Sequence, residues 1–188
     1  MVGLGNPGDE YADTRHNAGF MLVRRAARAR GVELRGRAFK ARTAVARGGA
    51  EDVLLALPQT YMNRSGVSVR EILAGRDIPP DRLVVAYVDL DIPLGELRVR
   101  AKGSPGTHKG MKSIVDEIRT RDFARIRIGI GPLPDGRDAA DYVLEPFRRN
   151  ERPLLEESLG EAEEALDLIL AGDAERAMTR FNRRVPAD

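Results

Sequence analysis

The 188-residue sequence predicts an α/β fold, one domain with a mixed, mostly parallel twisted sheet covered by helices on both faces. Three observations predict it. Stretches of period-two alternation interleave with stretches of helical spacing along the whole chain. Residues 83–88 form a continuous run, Leu-Val-Val-Ala-Tyr-Val, the pattern of a central strand buried on both sides. No internal repeat, low-complexity tract or linker interrupts the chain, so residues 1–188 are expected to form a single domain.

The elements follow in order. Residues 1–4 read as the stub of a strand running into a loop rich in Gly, Pro and Asn. Phe20, Val23 and Ala27 recur at helical spacing over 19–30, and Gly31 ends that helix. Over 38–47, Phe39, Ala41, Thr43 and Val45 alternate with Lys40, Arg42, Ala44 and Ala46, which predicts a half-buried strand. Residues 52–57 form a short apolar strand ended by Pro58, and 65–74 a helix. In 96–100, Leu97 and Val99 alternate with Arg98 and Arg100. A Gly-rich loop covers 101–107. Met111, Ile114, Val115 and Ile118 then form one stripe of a helix over 109–120. Ile126, Ile128 and Ile130 alternate with Arg125, Arg127 and Gly129 in a strand over 124–130. Helices are expected at about 138–145, 153–171 and 173–184.

Composition narrows the chemistry. Apolar residues make up 42%, enough for a sizeable core. There are no cysteines, which excludes disulfides, thiol catalysis and Cys-ligated metal centres. The two histidines, His16 and His108, are far apart in sequence, so no His-rich metal site is expected. No apolar run approaches the length of a membrane span and no secretory leader is evident, so neither a membrane span nor secretion is expected. The net charge of +2 hides an uneven distribution. Residues 14–47 hold ten Arg or Lys and one acid, Glu33; residues 98–127 hold nine basic and three acidic residues. Residues 150–176 reverse this, with nine acids and two Arg. Two basic blocks can present a face to a polyanion, or can belong to an ordinary mixed surface.

Gly3-Leu4-Gly5-Asn6-Pro7-Gly8 satisfies G-x-G-x-x-G, with Glu33 near the spacing of a ribose carboxylate. A dinucleotide-dependent oxidoreductase is nevertheless disfavoured. Only Met1 and Val2 precede the first glycine, and residues 9–17 have no apolar stripe to dock on a sheet. Asp9 and Glu10 would also face the pyrophosphate. The pattern reads better as a rigid turn.

Polar groups gather in three loops that follow apparent strands: around Asn6 to Asn17, over 58–66, and over 103–110. His16 is the strongest general-base candidate, because an unperturbed imidazole titrates near neutrality. A capping or surface histidine is the competing reading, and the Arg-His-Asn tripeptide brings the two to parity. Asn6 and Asn63 could orient a carbonyl or a water.

The 3–8 block with Tyr11 and Thr14-Arg15-His16-Asn17-Ala18-Gly19 resembles the signature of the bacterial peptidyl-tRNA hydrolase family. Pro58-Gln59-Thr60-Tyr61-Met62-Asn63-Arg64-Ser65-Gly66 resembles its second block, and Asp89-Leu90-Asp91-Ile92-Pro93-Leu94-Gly95 its third. Lys102-Gly103-Ser104 with His108 and Gly110-Met111-Lys112-Ser113-Ile114, and Arg125-Ile126-Arg127-Ile128-Gly129-Ile130-Gly131, resemble two more. The blocks occur in order over nearly the whole chain. The first lies a few residues nearer the amino terminus than is usual, so either a clipped first strand or a misassigned start is expected.

The resemblance implies a monomeric, metal-independent, cofactor-free cytoplasmic hydrolase. It implies cleavage of the ester joining a peptide, or an N-blocked amino acid, to the tRNA 3′ end. It assigns His16 as the base that activates water and Asn6 as the reader of the peptide amide. Tyr11, Tyr61 and Asn63 would line the site for the 3′ end and ester, with Met62 and His108 flanking it. Arg100 and Arg127 would clamp phosphates near the acceptor end, projecting together from strands whose other faces are apolar. Asn63 and backbone amides would hold the developing charge.

Two positions depart from the family pattern. Val88 stands where the family carries the Asp that orients the imidazole, and strand alternation aims Asp89 and Asp91 away from its face. Lys109 stands where the family usually has Asn. Both departures raise an alternative: an RNA-binding paralogue with weakened or lost turnover. With an ordinary imidazole pKa, activity should change between pH 5 and 8, and a flat profile there would count against His16 as the base.

Overall fold

The structure, a computed structural model, describes residues 1–47 and 51–182. Its centre is a seven-stranded sheet in the order β2-β3-β4-β1-β5-β7-β6. The strands are β1 (Val2–Gly3), β2 (Gly36–Ala38), β3 (Ala41–Ala46), β4 (Val53–Pro58), β5 (Val84–Pro93), β6 (Leu97–Arg100) and β7 (Ala124–Gly131). The inner strands β4, β1, β5 and β7 pair in parallel. β2, β3 and β6 join by antiparallel pairing, which leaves only β3 and β6 running against the rest. The sheet is thus mixed and mostly parallel in strand direction.

The parallel arrangement follows from the apolar runs. Leu55, Ala56 and Leu57, and Val84 to Val88, are buried because both sheet faces are covered. On one side lie α1 (Ala18–Ala29), α5 (Arg152–Leu170) and α6 (Ala174–Phe181), around a cluster that includes Phe20, Val88, Ile126, Ile128 and Leu159. On the other lie α2 (Ser65–Gly75) and α3 (Lys109–Ile118), around Leu4, Met62, Tyr87, Met111 and Ile114. Each such large side chain contributes roughly 1.5–3 kcal/mol through burial. A short α4 (Ala139–Leu144) follows β7.

Two motif glycines are required by close approach. A Cβ on Gly19 would stand 2.4 Å from the Ala86 carbonyl oxygen and 2.6 Å from that of Leu4, so glycine lets α1 start directly on β1 and β5. A Cβ on Gly66 would stand 2.1 Å from the Ser113 carbonyl oxygen, so glycine lets α2 meet α3. The G-x-G-x-x-G pattern is followed by a 3-10 turn, Asp9–Tyr11, rather than by a helix docked on the sheet.

Three elements differ from the sequence reading. The strand expected over 38–47 is a hairpin, β2–β3, turning at Phe39 and Lys40 with φ of 56° and 52°. The alternating pattern runs unbroken through the turn, and no Gly, Pro or Asn marks it. The run at 83–88 continues to Pro93, with a register irregularity between Asp89 and Pro93. The last helix ends at Phe181; residues 183–184, expected to continue it, lie outside the described residues.

Candidate active site

Because β1, β4 and β5 are parallel, their carboxyl ends open at the same edge of the sheet. Asn6 follows β1, Tyr61 to Asn63 follow β4, and Val88 to Asp91 close β5. Together with the 101–109 loop and the start of α3 they line a cavity of about 840 Å³.

His16 enters this cavity from a 3-10 turn, Arg15–Asn17, that leads into α1. Both of its neighbours hold the turn in place. Arg15 is 1% exposed; its Nη2 donates to both Glu151 carboxylate oxygens at 2.9 and 2.7 Å, and its Nη1 to the Pro146 carbonyl at 2.7 Å. The guanidinium also lies 4.3 Å from the centre of the Tyr142 ring. The Asn17 Oδ1 accepts the Asn6 N–H at 2.8 Å, and its Nδ2 donates to the Asn6 carbonyl at 3.0 Å. The Asn6 Oδ1 in turn accepts the Met62 N–H at 3.0 Å, which leaves the Asn6 Nδ2 donors for the cavity.

His108 caps α3, its Nδ1 accepting the Met111 N–H at 3.2 Å. The neutral ring therefore carries its proton on Nε2. The His108 ring centre lies 5.0 Å from that of His16 and 4.9 Å from that of Tyr87. His16 Nδ1 and His108 Nε2 are both buried without a hydrogen-bond partner among the described residues. Burial, and secondarily the Lys109 charge, lower the His16 pKa to about 4. Burial, then His16, lower that of His108 to about 3. Both imidazoles are neutral at physiological pH. The expectation of a titration between pH 5 and 8 is thereby corrected: desolvation moves it below that window.

Val88 is buried on the α1 and α5 side of the sheet and also lines the cavity. The neighbouring carboxylates do not stand in for the missing one. Asp89 Oδ2 accepts from Arg127 Nε at 2.7 Å, and its Oδ1 accepts the Asp91 N–H at 3.0 Å. Asp91 is exposed.

Asn6, His16, Tyr61, Met62, Asn63, Val88, Arg100, His108, Lys109 and Arg127 all line this one cavity. Tyr11 does not. It sits on the Asp9–Tyr11 turn, where its carbonyl accepts the Thr14 hydroxyl, outside the lining. Arg100 and Arg127 share a sheet face, as alternation predicts, but they are not opposite one another. Arg127 faces Arg98 and Arg100 faces Arg125. Sequence reasoning missed Tyr87, Arg125 and the clamping role of Asn17. Arg125 is fully buried over the Phe123 ring, 4.5 Å away, and its Nε and Nη1 have no partner among the described residues. Its only signal was a basic residue between apolar ones on an inner strand. Tyr87 was hidden inside an apolar run.

A neutral imidazole on an anchored turn, sharing a basic cavity at the strand ends with side-chain amides, is chemically able to take a proton from water. Comparison with known proteins gives the family. The peptidyl-tRNA hydrolase family model matches residues 1–188. The peptidyl-tRNA hydrolase of Carboxydothermus hydrogenoformans is 47% identical over 183 residues, covering 97% of each chain. That of Alkaliphilus metalliredigens is 44% identical, covering 97% of this chain and 98% of the relative. The crystal structure of the peptidyl-tRNA hydrolase from Acinetobacter baumannii superposes with a TM-score of 0.91 at 37% identity, covering 99% of this chain and 95% of the other. The chain belongs to the peptidyl-tRNA hydrolase family.

Proposed function

We propose that this chain hydrolyses the ester between a peptide, or an N-blocked amino acid, and the 3′ end of tRNA, with His16 as the general base. The observation that carries this is the neutral His16 imidazole held in one cavity with the Asn6 and Asn63 amides. His16 takes a proton from water as the water attacks the ester carbonyl, and returns it to the tRNA 3′-oxygen as the ester bond breaks and that oxygen leaves. The oxyanion is stabilised by the Asn63 side chain and the free Asn6 donors; the Met62 amide is already engaged by Asn6. Tyr61, exposed beside Met62, offers a ring on which the terminal base stacks. His108 orders the far wall, and Arg100 and Arg127 meet phosphates of the acceptor stem. By family resemblance the protein works in the cytoplasm as a monomer without a metal ion. None of its helices among the described residues is long and apolar enough to cross a membrane.

The unpartnered His16 Nδ1, in a cavity whose wall carries Val88, favours a second reading, RNA binding with little turnover. Single-turnover cleavage of N-acetyl-aminoacyl-tRNA, with His16→Ala as the blank, separates the two. A rate well above the blank supports the hydrolase; equal rates leave binding alone.

A further inference from the structure

Lys109 opens α3 immediately after the His108 cap and lines the cavity together with His16, Asn6 and Asn63. It is exposed, and among the described residues no carboxylate lies within ion-pair distance of it. It shares the cavity wall with His16, whose pKa its charge lowers after the larger effect of burial.

In the rest of the lining, basic groups outnumber carboxylates by four to three. The basic groups are Arg100, Lys102, Arg125 and Arg127, besides Lys109. The carboxylates are Asp89, Asp91 and Asp138. Asp89 is held by Arg127, and Asp138 Oδ1 accepts the first N–H groups of α4. The other titratable groups facing the cavity are His16, His108, Tyr61 and Tyr87. The amino end of α3 adds its own partial positive charge.

Free aminoacyl-tRNA and N-acylated aminoacyl-tRNA present the same RNA and the same ester. They differ in the α-nitrogen, an ammonium in one and a neutral amide in the other. A cation in the wall of the cavity that also holds the Asn6 and Asn63 amides repels only the first. Resting on the hydrolase reading above, we propose that Lys109 is a specificity residue that excludes the α-ammonium of free aminoacyl-tRNA by like-charge repulsion. The negative element is built into the pocket wall, so discrimination needs no extra contact to the peptide.

The test uses acceptor-end tRNA mimics that carry the amino acid through a non-cleavable 3′-amide, with the α-nitrogen either free or acetylated. Kd values for the intact protein are measured at pH 6 and pH 9, on either side of the α-amine pKa near ~8. At pH 6 the wild type should prefer the acetylated mimic, and Lys109→Met should lower that preference on the order of tenfold. Lys109→Arg should keep it. At pH 9, where the amine is neutral, wild type and Lys109→Met should converge. An unchanged preference in Lys109→Met at pH 6, or an equal change at both pH values, overturns the proposal. Failure of the wild type to cleave N-acetyl-aminoacyl-tRNA overturns the hydrolase reading instead, since the Kd ratio is read without turnover.

Discussion

His16 holds a buried nitrogen, Nδ1, that no described group satisfies. A general base works from one ring nitrogen while the other is held as a donor, and an orienting carboxylate does that holding. Val88 cannot. Val88→Asp should therefore raise the single-turnover rate on N-acetyl-aminoacyl-tRNA by about 100-fold or more, since loss of a carboxylate that orients a general-base histidine costs up to about 10⁴. The pH dependence is argued from the same burial. The base must be neutral, and the His16 pKa lies at about 4, so the rate should be flat from pH 5 to 8 and fall only as pH approaches 4. In Val88→Asp the new carboxylate favours the imidazolium, so the acid limb should move upward. Stopped-time assays across that range, with circular dichroism as a control for folding, check both outcomes. The candidacy of His16 and the departure at Val88 were legible in the motif blocks. The pKa was not, because it arises from the walls that α3 and β5 bring to the ring, and no local spacing encodes those walls.

At the scale of elements, the turn that carries His16 is pinned to a remote part of the chain. Thr14 bridges to Pro146, the Arg15 N–H donates to the Glu145 carbonyl at 2.9 Å, and Arg15 reaches Glu151 just before α5. The pair is asymmetric, with Arg15 at 1% side-chain exposure and Glu151 at 18%. Removing the carboxylate strands a buried guanidinium, at a cost of about 3–5 kcal/mol. Glu151→Ala should lower the urea midpoint accordingly and should also slow cleavage, because Arg15 precedes His16 directly. A stability change without a rate change would separate the anchor from the site. Helices were readable from their spacing because each buries a stripe: Phe20, Val23 and Ala27 on α1, Met111 and Ile114 on α3. The Arg15 anchor was not readable. A long basic side chain in a polar loop looks the same whether it ends in water or on a carboxylate 136 positions away. The hairpin at Phe39 and Lys40 was missed for a related reason: its left-handed residues are ordinary L side chains.

Across the whole molecule, the uneven charge of the sequence is partly neutralised between elements. Two cations of the first basic block pair with the acidic α5: Arg25 with Glu163 and Glu156, and Arg30 with Asp167. Arg180 of α6 pairs with Glu164. The acids of α5 therefore balance neighbouring helices. The second block is arranged differently, with Arg98, Arg100, Arg125 and Arg127 on one face of the β6–β7 pair. Of these, Arg98 is paired with Glu96, Arg127 with Asp89, and Arg125 is buried. Arg100 is exposed and, among the described residues, bonds only to the Val99 carbonyl. Each phosphate neutralised by a cation releases counterions and adds roughly 0.7–0.9 to the slope of log K against log salt. Arg100→Gln should therefore reduce that slope for tRNA binding by nearly one. Arg127→Gln should reduce it by less, because Asp89 already offsets that charge, and Arg25→Gln should leave it unchanged. Filter binding over a salt series reads all three. An Arg25 effect equal to that of Arg100 would place the RNA on the α5 side and remove the sheet face from the argument.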